Sequence, residues 1–305
     1  MLDWYVTNTQ NLVTIVDFLR FGFTCANKNG LYYGHGTDNA WDDIVALVLG
    51  SLSLPLDVDP ILLNGRLSHE EKSVLVQKLV RRIVDRVPVP YLTNTAYFCG
   101  LPFFVDERVL IPRSPIGELI EHHFSPWIQP DEVTNILDLC TGSGCIAVAC
   151  CFAFPSAEVV AVDISREALD VAEINRKRHE LEDNFTLVES DVFDALPPTK
   201  YSIIVSNPPY VGTAEMQTLP DEHHHEPVLA LQACKNGLAV VDKILERAHE
   251  FLSDNGILVV EVGNSEEALI EAYPSLPFTW LEFERGGQGV FILTREQLIA
   301  HRAAI

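Results

Sequence analysis

The sequence predicts an α/β fold with a smaller helical region ahead of it, and three observations lead to this prediction. From about Glu118 onward, short apolar runs alternate with longer amphipathic stretches, which is the pattern of a parallel sheet covered by helices. Residues 1–87 show only helical apolar spacing and a capping signal. Residues 91–111 are predicted to form a hairpin between the two. We therefore expect a helical substrate-recognition domain (1–88), a linking β-hairpin (89–117) and an α/β domain (118–305).

Helices are predicted throughout the first region. Apolar residues recur at helical spacing from Thr9 to Phe21, and residues 44–56 form an apolar stretch typical of a packed helix. Ser68-His69-Glu70-Glu71 is a capping box that opens a helix over 72–86. Val87-Pro88-Val89-Pro90 ends this helix. We expect a local basic patch to lie on its solvated face, made of Arg81, Arg82 and Arg86.

The predicted strands of the α/β region end in polar residues, which is where open parallel sheets bind their ligands. The first strand ends at Asp138-Leu139. The second strand, Glu158–Val162, is followed by Asp163, and the third, Phe185–Glu189, is followed by Ser190-Asp191. The fourth strand, 201–206, is followed by Asn207. A fifth strand is predicted from Gly256 to Val262. A closing hairpin of 278–284 and 289–294, with its turn at 285–288, completes a seven-stranded sheet whose last strand is antiparallel.

A loop of small residues, Cys140-Thr141-Gly142-Ser143-Gly144, follows the first strand and precedes a helix predicted over 145–152. Its glycines allow the backbone to approach a ligand closely. Asp163 follows Gly144 by 19 positions, about the spacing at which an acid reaches ribose hydroxyls in doubly wound nucleotide sites. The loop also satisfies the dinucleotide fingerprint, with Ala147 as its third small residue. A hydride-transfer enzyme is therefore one alternative, although it gives no reason for the motif after the fourth strand.

That motif is Asn207-Pro208-Pro209-Tyr210. Two prolines prevent the chain from continuing as a helix or as a ladder strand, so we expect a stiff turn. Asn207 can accept a hydrogen bond through its side-chain oxygen, the Pro208 carbonyl can accept a second, and the Tyr210 ring can lie against a planar group. The turn is therefore suited to hold a planar NH2 group.

Together these motifs resemble the class I (Rossmann-like) S-adenosylmethionine-dependent methyltransferases of the Asn-Pro-Pro-Tyr type, and more closely the protein-glutamine methyltransferases. The resemblance covers nearly the whole chain. It implies that Asn207, Pro208 and Tyr210 are catalytic, that Pro209 joins them in binding the substrate, and that S-adenosylmethionine is the cofactor. The implied cofactor-binding residues are Asp138, Cys140, Thr141, Gly142, Ser143, Gly144, Asp163, Asp191, Val192 and Asn207.

Two branches of this family act on release factors and on the third protein of the large ribosomal subunit. The first usually carries Pro-Arg-Pro-Glu-Thr-Glu ahead of the glycine loop, whereas residues 112–118 here read Pro-Arg-Ser-Pro-Ile-Gly-Glu. This departure resembles the ribosomal-protein branch, as do two upstream segments, Tyr33 to Asn39 and Tyr91 to Asn94. The release-factor branch stays the alternative. The departure leaves open what Arg113 and Glu118 do.

The amino-acid composition helps to choose among the remaining function classes. The formal net charge is −22, from 21 Lys and Arg against 43 Asp and Glu. This argues against wrapping a nucleic-acid backbone, so a nucleic-acid adenine methyltransferase is a weaker alternative. It is compatible with a basic protein partner, either free or in an assembly intermediate of the large subunit. A catalytically inactive assembly factor is a third alternative, against which the intact Asn207 and glycines argue.

Other features predict where the protein resides and which sites it lacks. No segment has the length of a membrane span, and no secretory signal is apparent. Seven cysteines without a Cys-x-x-Cys pair are typical of reduced thiols in a cytoplasmic protein. The run His223-His224-His225 lacks partners at the spacing of a zinc site, so we expect no metal there. Since the run follows the Asn207 motif, we expect it to shape the substrate entrance.

Overall fold

The computed structural model describes residues 1–303, and they form two compact units. The first consists of Met1–Ala96, Val105–Glu107 and Pro220–His225. The second consists of Tyr97–Phe104, Arg108–Leu219 and the rest of the chain from Glu226. No helix within residues 1–303 is both long enough and apolar enough to cross a membrane.

The first unit is helical, as predicted. Its helices are α1 (Leu2–Thr9), α2 (Ile15–Asn29), α3 (Ala40–Ser51), α4 (His69–Ile83) and α5 (Val89–Thr93). The capping box of α4 is confirmed, because Ser68 Oγ accepts the Glu71 N–H at 3.2 Å and Glu71 Oε2 accepts the Ser68 N–H at 2.7 Å.

The prediction of one helix from Thr9 to Phe21 is wrong, because the chain breaks there into α1 and α2. Thr14 opens α2 with a capping box of its own, in which its hydroxyl accepts the Asp17 N–H at 3.3 Å. The Asp17 carboxylate accepts the N–H groups of Val13 and Thr14 at 2.8 and 2.9 Å. These bonds turn the chain away from the helical path despite the continuous apolar spacing.

The prediction that Arg82 is solvated is also wrong. Its side chain is only 2% exposed and donates to Asp43 Oδ2 at 2.8 Å, to Glu222 Oε1 at 3.3 Å and to the Tyr32 carbonyl at 2.9 Å. Burial raises the pKa of Asp43, and Arg82 opposes this shift. Because its neighbour Arg81 is exposed, the patch is not a single solvated face. Removing Arg82 would break the ion pair of the buried Asp43 carboxylate, whereas Glu222 would keep Arg86 at 3.5 Å.

The linking hairpin is shorter than predicted. It consists of β1 (Ala96–Phe98) and β2 (Leu101–Phe103), with Cys99 and Gly100 at the turn at φ +47° and +73°. Pro102 therefore lies within β2. Residues 91–93 belong to α5, which ends where Asn94 adopts φ +50°.

The second unit contains the predicted seven-stranded sheet, in the order β5-β4-β3-β6-β7-β9-β8. Its strands are β3 (Asn135–Leu139), β4 (Glu158–Asp163), β5 (Phe185–Glu189), β6 (Tyr201–Ser206), β7 (Leu252–Glu261), β8 (Thr279–Trp280) and β9 (Val290–Thr294). The pairs from β5 to β7 are parallel, whereas β9 is antiparallel to both β7 and β8. The class I methyltransferase fold is therefore confirmed.

The closing hairpin differs from the prediction in its first strand. Strand β8 has two residues where 278–284 were expected to pair. The N–H groups of Glu284 and Arg285 donate to the Glu118 carboxylate, at 3.0 and 3.2 Å, and so are not available to a ladder. Glu118 therefore limits the pairing of this hairpin. Its role, which the sequence left open, is to accept these two main-chain N–H groups.

Helices cover both faces of the sheet. They are α6 (Ile116–Glu121), α7 (Cys145–Ala153), α8 (Arg166–Arg178), α9 (Val228–Leu231), α10 (Ala239–Phe251), α11 (Glu266–Ala272) and α12 (Arg295–Ala303). Successive strand side chains alternate between two cores. Ile136 of β3 packs with α6 and α7, whereas Leu137 packs with α10. The apolar runs of β3 and β6 are buried on both faces for this reason, as parallel strands in α/β folds are.

Candidate active site

Two loops leave neighbouring strands at one edge of the sheet. Strands β3 and β6 are parallel, with Leu139 paired to Ser206, and Ser206 Oγ donates to the Leu139 carbonyl at 2.8 Å. The next residues are Cys140, which starts the glycine loop, and Asn207, which starts the Asn207–Tyr210 loop. Register alone therefore places the two predicted ligand-binding loops side by side.

The glycine loop is shaped by left-handed backbone at Cys140, Gly142 and Gly144, with φ of +59°, +56° and +81°. A Cβ at Gly142 would meet no atom within 4 Å, so this glycine is required by its backbone and leaves open space beside it. A Cβ at Gly144 would approach Ala172 Cβ to 3.3 Å, so this glycine allows close packing on α8. The loop thus presents main-chain atoms on one side and packs on the other.

Asp138 lies beneath this loop with a fully buried side chain. Its Oδ2 accepts the Thr141 hydroxyl at 2.5 Å and the Ala147 N–H at 3.2 Å, which ties the loop to the first turn of α7. Its Oδ1 is buried and has no hydrogen-bond partner among the described residues. Burial raises the pKa of Asp138 to about 7, although both hydrogen bonds oppose the shift.

Asp163 lies at the end of β4, as predicted, and holds the glycine loop from the other side. Its Oδ2 accepts the Gly142 N–H at 2.9 Å, and its Oδ1 accepts the Ser165 N–H at 2.9 Å. Burial raises the pKa of Asp163, although these two hydrogen bonds oppose the shift. Thr141 N–H donates to the carbonyl of Val162 at 2.9 Å, which joins the loop to β4 a second time.

Asp191 and Val192 follow β5, at the same edge. Asp191 pairs with Lys243 of α10 at 2.5 Å. Val192 is buried and adopts φ +52°, a conformation that a β-branched residue rarely takes. A sharp turn therefore follows β5 directly after Asp191.

Cys140 in the glycine loop and Cys145 at the start of α7 are poor nucleophiles. Burial raises the pKa of Cys145 to about 12 and raises the pKa of the Cys140 thiol well above its usual range. Both therefore stay protonated and serve as small side chains.

The Asn207–Tyr210 loop is held mainly through Tyr210. Asn207 is half-buried and Pro208 is buried. The Tyr210 hydroxyl donates to Glu261 Oε1 at 3.0 Å, and Ser265 Oγ donates to the Tyr210 carbonyl at 2.8 Å. A Cβ at Gly263 would fall 2.5 Å from Tyr210 Cε2, so the ring lies directly against this glycine.

Glu261, the last residue of β7, is a site residue that the sequence did not reveal. Its side chain is buried, and its Oε2 accepts the Ser114 hydroxyl at 2.6 Å. Burial raises the pKa of Glu261 to about 7, against the hydrogen bonds from Ser114 and Tyr210 and the nearby charge of Arg113. The available signal was a polar residue at the end of a strand, which was missed because the strand was expected to continue to Val262.

Arg113 forms a bidentate ion pair with Glu226, whose side chain has no exposed surface, at 2.6 and 2.7 Å. Glu226 also accepts the Ile111 N–H at 3.1 Å. The pair joins the segment ahead of the glycine loop to the segment that follows the histidine run. Sequence reasoning left the role of Arg113 open because Glu226 is 113 positions away.

The histidine run lies in the first unit, in a 3₁₀ turn over Asp221–His225. His225 Nε2 is 2.8 Å from the Asp85 carbonyl, and the His223 and His35 ring centroids are 4.5 Å apart. The expected role at a substrate entrance stays a prediction.

The fold and the site together define a class I methyltransferase. A family model described as "Methyltransferase small domain" matches residues 123–221. The 16S rRNA N2 G1207 methyltransferase of T. thermophilus, solved with AdoMet and guanosine, is 18% identical with a TM-score of 0.45, over 66% of this chain and 49% of that one.

Two curated relatives are far more similar. The ribosomal protein uL3 glutamine methyltransferase of Francisella tularensis is 46% identical over 97% of this chain and 94% of its own length. The enzyme of the same name from Neisseria meningitidis is 47% identical over 95% of this chain and 96% of its own length. The chain therefore belongs to the family of ribosomal protein uL3 glutamine methyltransferases, and the family resemblance found in the sequence is confirmed.

The residues present fit S-adenosylmethionine, the cofactor of this class. The glycine loop leaves open space beside Gly142, where an added Cβ would meet nothing. Carboxylates stand at the ends of β4 and β5, where hydroxyl and amino groups of a nucleoside would find acceptors. Beneath them, Asp138 Oδ1 is a buried acceptor atom without a partner in residues 1–303.

Proposed function

We propose that this protein transfers a methyl group to the side-chain amide nitrogen of a glutamine in ribosomal protein uL3. The observation that carries the proposal is the juxtaposition of the glycine loop and Asn207, fixed by the pairing of Leu139 with Ser206. A methyl donor held by the first loop and an amide held by the second would lie next to each other. Family membership selects glutamine of a ribosomal protein among the NH2-bearing substrates.

The difficulty of the reaction lies in the acceptor. A glutamine amide nitrogen is a poor nucleophile because its lone pair is delocalised into the carbonyl. When bound, S-adenosylmethionine supplies a methyl group on a sulfonium, which is a strong electrophile. The protein must therefore mainly orient the nitrogen. Orientation alone can lower the activation barrier by several kcal/mol.

Asn207 Oδ1 and the Pro208 carbonyl are the acceptors that would receive the two N–H groups of the substrate amide. With both N–H groups engaged, the nitrogen lone pair points toward the methyl group. The Tyr210 ring would lie against the plane of the amide and exclude water. As positive charge develops on the nitrogen, the two oxygens stabilise it, and the proton that leaves afterwards needs no strong base because a methylated, protonated amide is acidic.

The same acceptors set the substrate class. The two acceptor oxygens of the protein pair with the two N–H groups of an amide. A carboxylate side chain offers them no hydrogen-bond donor, so it would be rejected. Asp163 and the main chain of the glycine loop would hold the cofactor, with Asp191 and Val192 at its adenine edge. Arg113 and Glu226 would fix the position of the segment ahead of the site.

The partner would be a basic protein, as the net charge of −22 favours, and would bind free or within an assembly intermediate. Methylation would precede burial of the glutamine in the finished subunit, because the site must enclose the side chain. We place the reaction in the cytoplasm, where ribosomal proteins are made and assembled.

The test is incubation of the purified enzyme with isotope-labelled S-adenosylmethionine and three acceptors: free uL3, hypomethylated large-subunit particles and release factors. Peptide mapping then locates the label. We expect label on a uL3 glutamine and none on release factors. Efficient labelling of release factors with none on uL3 or on the particles would overturn the substrate while leaving the amide chemistry in place.

A further inference from the structure

We propose that Glu261 is a positioning residue that fixes the Tyr210 ring against the substrate amide, and that Ser114 helps to hold Glu261 in place. This inference rests on the proposed function, because it concerns the same amide site. Glu261 itself does not touch the reacting atoms in this proposal and acts through Tyr210.

Tyr210 and Glu261 are in direct contact. Tyr210 is the aromatic residue of the loop, and its hydroxyl donates to Glu261 Oε1 at 3.0 Å. Glu261 is 5% exposed, so this bond is shielded from competing water. Breaking the bond would leave the buried Glu261 Oε1 without this donor, which costs free energy.

The segment at the end of β7 restricts the Tyr210 ring as well as its hydroxyl. Gly263 follows Glu261 by two residues and lies so close to the Tyr210 ring that no Cβ fits between them. Ser265 holds the Tyr210 carbonyl at 2.8 Å. Residues 261–265 therefore contact the hydroxyl, the ring and the main chain of one tyrosine.

Glu261 is also connected to Asn207 through the sheet. Strand β7 pairs with β6, and Val260 lies opposite Ser206, the residue before Asn207. The distance between Glu261 and Asn207 is thus set by a strand pair within the sheet. Fixing Tyr210 to Glu261 fixes the aromatic wall relative to the amide acceptor.

Ser114 completes the arrangement. Its hydroxyl donates to Glu261 Oε2 at 2.6 Å and also accepts the Ile116 N–H at 3.2 Å, at the start of α6. The adjacent residue Arg113 is locked to Glu226. Glu261 therefore has donors on both oxygens, one from the loop that it positions and one from a segment that is itself anchored.

The experiment compares Glu261→Leu, Glu261→Gln, Tyr210→Phe and the double variant Tyr210→Phe/Glu261→Leu, with uL3 as the acceptor. Leucine is similar in size but cannot accept a hydrogen bond, whereas glutamine still can. We expect kcat to fall roughly ten- to a hundredfold in Glu261→Leu and by a similar factor in Tyr210→Phe. Glu261→Gln should retain most of the activity, and the double variant should be no slower than the slower single variant.

Cofactor affinity, measured by calorimetry, should be unchanged in all four variants. The matched control Glu267→Gln, at an exposed position of α11, should behave as wild type. If Glu261 merely filled space, Glu261→Leu would keep its kcat and Tyr210→Phe would be harmless. Either result, or additive losses in the double variant, would overturn the inference. Tyr210→Phe keeps the buried carboxyl, so it remains informative even if Glu261→Leu folds poorly.

A second measurement needs no substrate. In protein labelled with 13C-tyrosine, the Tyr210 ring signal, identified by its loss in Tyr210→Phe, should shift or broaden in Glu261→Leu and stay unchanged in Glu267→Gln. An unchanged signal in Glu261→Leu would overturn the positioning role. If wild type fails to methylate uL3, the proposed function fails, and this spectrum still decides whether Glu261 positions Tyr210.

Discussion

Two buried carboxyl groups support the two loops that are predicted to bind ligands, and they do so in different ways. Asp138 supports the glycine loop through Thr141 and Ala147, which are 3 and 9 positions away in the chain. Glu261 supports the Asn207–Tyr210 loop through Tyr210 and Ser114, which are 51 and 147 positions away. In both cases burial raises the carboxyl pKa to about 7.

The difference shows how the two halves of one site are built. In the proposed cofactor half, the bonds of Asp138 stay within one unit of strand, loop and helix. In the proposed substrate half, the bonds of Glu261 join segments that are distant in the chain. Variants of the two loops should therefore affect different steps of the reaction.

The largest expected effect separates substrate chemistry from cofactor binding. Asn207→Ala should reduce methyl transfer at least about a hundredfold, because the amide loses an orienting acceptor. Calorimetry should show cofactor binding largely intact. Asn8→Ala, an exposed position on α1, is the control and should keep wild-type turnover. Near-normal turnover in Asn207→Ala would refute the role given to Asn207.

The opposite pattern is expected at the other loop. Asp163→Ala should weaken cofactor binding by roughly 2–3 kcal/mol, because a ligand hydroxyl and the Gly142 N–H both lose a charged acceptor. At saturating cofactor, kcat should change much less. The matched control is Asp170→Ala, at an exposed position on α8. A large fall in kcat with unchanged cofactor affinity would contradict the division between the loops.

A pair of glycine variants sharpens the comparison further. Gly263 and Gly30 have similar left-handed φ, +46° and +56°, but only the Gly263 Cβ would collide with Tyr210. Alanine at either position should cost about 1–2 kcal/mol of stability from backbone strain. Gly263→Ala should in addition lower kcat about tenfold through displacement of the ring. Equal kinetics in the two variants, measured alongside denaturant unfolding, would show that the ring position is unimportant.

The last expected effect concerns stability alone and not catalysis, namely how stability depends on pH. The folded pKa of Asp138, about 7, lies above its ordinary value of 3.8, so the folded state holds this proton more tightly than the unfolded state does. Its stabilising contribution is full below about pH 4 and is lost as pH rises toward 7. Asp138→Asn removes the titration, so wild type should lose stability relative to this variant over that range.

Denaturant unfolding of both proteins between pH 4 and pH 8 provides the measurement. Parallel curves for wild type and Asp138→Asn would contradict the raised pKa. Thr141→Val is a useful companion, because it removes one hydrogen bond to Asp138 but leaves the carboxyl, and the pH dependence should then persist.

The sequence by itself determined the parts of this protein that local pattern encodes. Apolar runs and small-residue signals within a few positions of each other predict three features. These are the succession of strands along the chain from Asp138 to Asn207, the glycine loop, and the capping box at Ser68. Even the break before α2 was encoded locally, by Thr14 and Asp17 three residues apart, although the apolar spacing across it was misleading.

Tertiary structure decided which distant groups meet. Nothing near Arg82 in the chain indicates that it is buried between Asp43 and Glu222, and nothing near Ser114 indicates Glu261. Each of these pairs is separated by 39 to 147 positions, and a charged residue on an amphipathic helix or at a strand end has the same local pattern whether it is solvated or paired. Local spacing records which face of an element is apolar, whereas the partner of a buried polar group depends on how the elements pack. The sequence therefore predicted the two loops of the site, and only the folded chain showed what holds the second one in place.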